Sequence, residues 1–77
     1  MTFQEDYYKA EKEFRELIKS KLFPYGSYAY DAIICLLDNN NPQSAFMVWR
    51  TYMGVLKIKL TEKEEKIVEN WYWFFGK

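Results

Sequence analysis

The chain has 77 residues, with 11 basic and 11 acidic side chains, one cysteine and no histidine. At this length it forms one domain. The lack of histidine removes the commonest general base and metal ligand, and a lone Cys35 cannot form an intrachain disulfide or a cysteine-rich zinc site. A net charge of zero argues against a domain that holds nucleic acid through phosphate contacts.

The first segment predicts an amphipathic helix over residues 3–22. Its apolar side chains recur at spacings of three and four, and its other face is charged. Thr2 and Glu5 match a capping box that would start the helix. Pro24 would end it, because the residue before a proline avoids helical dihedral angles.

The second segment predicts a helix over residues 28–37, with Ser27 as its N-cap. Apolar side chains cover most of its circumference, a pattern typical of a helix buried at the centre of a small fold. A narrow strip holds Asp31, Cys35 and Asp38. On that strip we expect Cys35 to behave as a small buried hydrophobic side chain.

The third segment begins with Asn41 as a predicted N-cap and Pro42 at the first helical position. We predict a helix over residues 42–54 that ends at Gly54, followed by an extended stretch. The alternative is that the helix runs on, because Leu56 and Leu60 continue its apolar stripe.

The fourth segment predicts a helix over residues 62–75. Thr61 and Glu64 form a second capping box at its start, and Gly76 is a suitable terminator. Together the four segments predict an all-α fold, a small single-domain bundle of three to four helices with short connections.

Aromatic side chains are unusually frequent, with 3 Trp, 7 Tyr and 6 Phe. Those on the helical stripes are predicted to form the core: Phe14, Phe46, Trp49, Trp71 and Phe74. Others fall outside the stripes, and exposed Trp and Tyr are typical of binding hot spots. With their charged neighbours they predict a partner-binding patch made of Tyr8, Lys12, Arg15, Tyr25, Tyr28, Glu69 and Trp73.

These features predict a small cytoplasmic protein-interaction module that acts as a regulator, inhibitor or adaptor, of the kind found among phage- and plasmid-type accessory proteins. Its expected partner is another protein. A homodimer that pairs the apolar faces of the first helix is an alternative. We expect no enzymatic activity, no cofactor, no bound metal and no membrane contact.

The alternative hypothesis is a dimeric helix-turn-helix-type DNA-binding transcription regulator. The second helix would position the third, which would read DNA with Gln43, Ser44, Met47 and Arg50. Nucleic acid is the less favoured partner because Arg50 is the one cation in this set. In addition, the polar connection between the two helices does not resemble the tight turn of that motif.

Overall fold

The computed structural model describes the backbone of residues 3–75 and the side chains of residues 5–75. Within that range the chain is all-α, as predicted, and none of its helices is long and apolar enough to cross a membrane. The elements are α1 (Phe3–Leu22), a short 3-10 helix (Phe23–Tyr25), α2 (Ser27–Asp38), α3 (Pro42–Leu56) and α4 (Glu62–Phe75). The predicted Thr2–Glu5 capping box and the Gly76 terminator lie outside the described residues.

The central helix of the bundle is α1, and α4 runs antiparallel along it. At one end of the pair, Lys21 Nζ lies 2.9 Å from Glu64 Oε1. At the other end, the rings of Tyr7 and Trp71 have centroids 5.1 Å apart. The apolar stripe of α1 is buried from Ala10 through Leu22, so α1 supplies one continuous side of the core.

Four of the five aromatic residues predicted for the core are confirmed there. Phe14, Phe46, Trp49 and Trp71 are buried. The fifth, Phe74, is half-buried at the edge of the core. Burying large rings is the main source of stability available to a chain this short.

The prediction that the second helix is the buried centre of the fold is wrong. Only Ala29, Ile33 and Leu37 of α2 are buried, and they form a single stripe at spacings of four. α2 packs on α1, on α3 and on the short 3-10 helix, while its opposite side faces solvent and Tyr28 is 81% exposed.

The prediction that Cys35 is buried is also wrong. Cys35 shares its strip with Asp31 and Asp38, as expected, but the whole strip is exposed. The helical register that turns Ile33 and Leu37 into the core turns Cys35 outward. There Asn39 Nδ2 donates a hydrogen bond to the Cys35 carbonyl oxygen at 2.8 Å.

The turn between α1 and α2 follows the proline break that the sequence predicts. Pro24 lies in the 3-10 helix directly after α1. Gly26 then adopts a φ of 117°, a value that residues with a Cβ atom disfavour. It directly precedes the first residue of α2. Gly26 is therefore the N-cap, and the prediction of Ser27 in that role is wrong.

The connection between α2 and α3 is tighter than the sequence suggested. Asn40 adopts a left-handed φ of 57°. The Asn41 N–H donates to the Leu36 carbonyl oxygen at 2.9 Å, and the Asn40 N–H donates to the Leu37 carbonyl oxygen at 3.1 Å. These two bonds are those of a Schellman motif, which leaves three residues between the helices. Asn41 is the N-cap of α3, as predicted.

The end of α3 lies beyond the predicted position at Gly54; the helix runs on through Leu56, as in the alternative, but it does not reach Leu60. Lys57 adopts the left-handed φ of 55° that closes the helix. The Ile58 N–H donates to the Met53 carbonyl oxygen at 3.1 Å, and the Lys57 N–H donates to the Gly54 carbonyl oxygen at 3.3 Å. The longer helix brings Leu56 and Ile58 into half-buried positions, a packing gain that a stop at Gly54 would forgo.

Substituting Gly54 tests where α3 ends. A Cβ at this position would meet nothing within 4 Å, and alanine is favoured over glycine in a helix interior. We expect Gly54→Ala to raise the free energy of unfolding in urea by about 0.5–1 kcal/mol. We expect Lys57→Gly to raise it as well, because glycine adopts the left-handed conformation without strain. A loss of stability in Gly54→Ala would place the helix end at residue 54.

The capping box predicted at the start of α4 is confirmed. The Thr61 N–H donates to Glu64 Oε1 at 2.9 Å, and the Glu64 N–H donates to Thr61 Oγ1 at 3.2 Å. The hydrogen bond from the Thr61 backbone, followed by that from Lys21, holds the pKa of Glu64 below its usual value. One carboxylate therefore both caps α4 and ties its start to the end of α1.

The contribution of Glu64 to stability should depend on pH. Its pKa is lower in the folded chain than in the unfolded chain, so its stabilisation is complete above the unfolded pKa and is lost as the pH falls through the folded pKa. In urea unfolding we expect Glu64→Gln to destabilise the chain at neutral pH, and the difference from wild type to shrink below about pH 4. Glu65→Gln, at an exposed neighbour outside the capping box, is the matched control. A Glu64→Gln difference of equal size at both pH values would contradict this assignment.

Candidate functional site

The candidate site begins with the way α3 and α4 are anchored, because both helices pack on one ring of α1. The Phe14 centroid lies 5.5 Å from that of Trp49 on α3 and 5.9 Å from that of Trp71 on α4. Of the helix pairs in close contact, α3 and α4 make the least contact with each other. The backbone of α4 approaches α1 most closely and that of α3 approaches α2 most closely, so neither α3 nor α4 is held mainly by the other.

Direct contact between α3 and α4 is concentrated at the end where α3 begins and α4 finishes. The Phe46 ring lies 5.1 Å from the Tyr72 ring and 5.3 Å from the Phe75 ring, centroid to centroid. Gln43 Nε2 also donates a hydrogen bond to the Phe75 carbonyl oxygen at 3.1 Å. These contacts close one end and leave an opening between the helices beyond it.

That opening is an apolar groove with a volume of about 840 Å³, referred to below as the α3–α4 groove. The connection between the two helices lines it together with α3 and α4. Its apolar lining consists of Phe46, Trp49, Met53, Ile58, Leu60, Val68, Tyr72 and Trp73. The groove is open to solvent, and Tyr72 and Trp73 remain 46% and 56% exposed beside it.

Charged side chains line the same groove and differ in sign between its sides. Arg50 on α3 and Lys59 on the connection are cationic, whereas Glu65 and Glu69 on α4 are acidic. All four are exposed. Within residues 5–75 none of them forms an ion pair, so their charges are available to a bound molecule. The Arg50 guanidinium carbon lies 6.0 Å from the centre of the Phe46 ring, which keeps it at the groove.

The structure separates the predicted partner-binding residues instead of bringing them into one patch. Glu69 and Trp73 lie together at the α3–α4 groove. Tyr25 and Tyr28 are 60% and 81% exposed at the turn between α1 and α2. Tyr8 is 64% exposed near the start of α1, about 20 Å along that helix from the turn.

The other predicted residues, Lys12 and Arg15, lie on the same flank of α1 as Tyr8. Lys12 is exposed, but Arg15 is engaged within the molecule, because Nη2 contacts Asp38 Oδ1 at 2.9 Å and Nε contacts Glu11 Oε1 at 3.2 Å. Burial lowers the pKa of Arg15, but the hydrogen bonds and charges of Asp38 and Glu11 outweigh burial and raise it overall. Arg15 therefore ties α1 to the end of α2. The role of all seven residues in binding stays a prediction.

The four residues predicted to read DNA have different environments. Met47 is 69% exposed on the outer side of α3, and Ser44 is half-buried. The Gln43 amide is used to hold the end of α4. Arg50 lies at the α3–α4 groove.

Sequence reasoning missed most of the groove's apolar lining, including Met53, Ile58, Leu60, Val68 and Tyr72. A signal was present, because Trp49 and Met53 continue one stripe and Ile58 and Leu60 alternate with lysines. Because α3 is predicted to end early, the sequence does not show that these residues line one surface.

Comparisons of this chain with protein-family models, with curated proteins and with solved structures gave no match. In the part of the chain that the structure describes, no three His, Cys, Asp or Glu side chains lie close enough together to hold a metal ion. The α3–α4 groove is therefore the candidate site. Its apolar lining and charged sides suit binding of a macromolecule.

Proposed function

We propose that the chain is a small protein-interaction module that acts as a regulator, inhibitor or adaptor by binding another protein in the α3–α4 groove. The observation that carries this proposal is the exposure of Tyr72 and Trp73 beside an apolar groove. Large aromatic surface left in water is costly, and a partner that covered it would gain that free energy.

The composition of the groove supports the same proposal. Protein interfaces combine an apolar centre with a polar rim, and Trp, Tyr and Arg dominate their hot spots. Here Trp73, Tyr72 and Arg50 surround an apolar floor. We place the protein in the cytoplasm, because an exposed free thiol such as that of Cys35 is best preserved in a reducing compartment.

Replacing Trp73 tests the proposal directly. The immobilised chain is used to capture binding proteins, and the affinity of each is then measured by calorimetry. We expect Trp73→Ala to weaken binding by at least about 1 kcal/mol, with unchanged helix content by circular dichroism. Tyr28→Ala removes an exposed ring of the predicted patch that lies outside the groove lining, so under the groove proposal it is the matched control and should bind like the wild type. Equal binding by the Trp73 and Tyr28 variants would contradict the proposal, as would unfolding of Trp73→Ala.

A DNA-binding regulator is a second candidate, and the three-residue connection between α2 and α3 favours it, since helix-turn-helix motifs use turns of this length. A gel shift with random-sequence DNA at about 50 mM salt separates the two candidates. Under the protein-interaction proposal we expect no shift. A shift that disappears as salt rises, and that Arg50→Ala reduces, would support the DNA-binding alternative.

A further inference from the structure

We infer that the α3–α4 groove receives an amphipathic α-helix of two to three turns from the partner protein, with acidic side chains along one flank of its apolar ridge and basic side chains along the other. This inference rests on the proposed function and specifies the chemistry of the partner. The dimensions of the groove, its concave shape and its charge distribution each support it.

The length of the groove fits a short helix. Its lining extends from Phe46 to Met53 on α3 and from Glu65 to Trp73 on α4. At 1.5 Å per residue these stretches are about 10–12 Å long, which is about two helical turns. An apolar channel between two helices accepts the ridge of a third helix, whose anchors recur at spacings of three, four and seven residues.

The concave shape argues for a foreign helix over a second copy of this chain. In a two-fold dimer through this face, one groove would lie against the other, and neither would be filled. A convex apolar ridge from another protein fills such a groove.

The charges around the groove specify the flanks of the bound helix. Arg50 and Lys59 would pair with acidic side chains, and Glu65 and Glu69 would pair with basic ones. A helix with flanks of one sign would be attracted to one side of the groove and repelled by the other. The groove therefore selects a helix of mixed charge.

Three designed peptides of equal length test this selection. All carry the same leucine stripe, and their flanks are acidic and basic, both acidic, or both basic. Their dissociation constants are measured by fluorescence polarisation against the full chain and two double variants. Arg50→Glu/Lys59→Glu makes both sides of the groove acidic, and Glu65→Lys/Glu69→Lys makes both sides basic. Because all four side chains are exposed, these substitutions should leave the fold intact.

Each form of the chain should prefer the peptide whose flanks oppose its groove charges, by about tenfold over the others. The wild type should prefer the mixed peptide, the acidic variant the basic peptide, and the basic variant the acidic peptide. Lys9→Glu/Lys19→Glu changes the net charge by the same amount as the acidic variant, at exposed sites on α1 outside the groove, and it should keep the wild-type preference. In an NMR titration, the indole N–H signal of Trp73 should shift, whereas that of Trp71 should not.

Equal affinities for the three peptides would overturn the inference, as would the absence of binding to any of them. If none of the peptides binds but binding of a captured protein still requires Trp73, the partner does not bind through an amphipathic helix of this kind. The proposed function is then retained. If both experiments fail, the proposed function fails with the inference.

Discussion

The packing of Phe14 is the constraint on which the rest of the structure depends. Its ring is fully buried in α1 and contacts Trp49 of α3 and Trp71 of α4. The buried Trp71 indole N–H has no hydrogen-bond partner in the described structure, a cost of about 1–3 kcal/mol that the ring packing must exceed. The backbone of α4 packs mainly against α1 and that of α3 mainly against α2, so α3 and α4 approach each other less closely. The α3–α4 groove follows from this division of contacts.

The end of α3 converts that opening into a groove with a defined lining. The helix continues past Gly54 to Leu56, and the left-handed residue that ends it is Lys57. The connection then lines the groove with Ile58 and Leu60, with Lys59 between them. Lysine adopts left-handed backbone dihedral angles less favourably than glycine does. The half-buried positions gained by Leu56 and Ile58 offset that cost in free energy.

Local patterns predicted the elements of this fold well, and tertiary packing explains where they failed. The Thr61 capping box depends on residues close in sequence, so the sequence was sufficient to predict it. Periodicity placed Asp31, Cys35 and Asp38 on one strip of α2, but it could not show that α2 lies at the edge of the bundle with that strip outward. Trp73 was recognised as lying outside the α4 stripe, and it is exposed. The groove beside it depends on the spacing between two helices, which no local pattern encodes.

The proposed function requires the α3–α4 groove to be open in the free chain and available to the helix of another protein. Molar mass in solution tests it most directly, measured by size-exclusion chromatography with light scattering over a hundredfold range of concentration. We expect a monomer of 9.4 kDa throughout, because two concave faces do not fill each other. A stable dimer that dissociates on Arg50→Glu would contradict it, since the groove would then be occupied by a second copy of the chain.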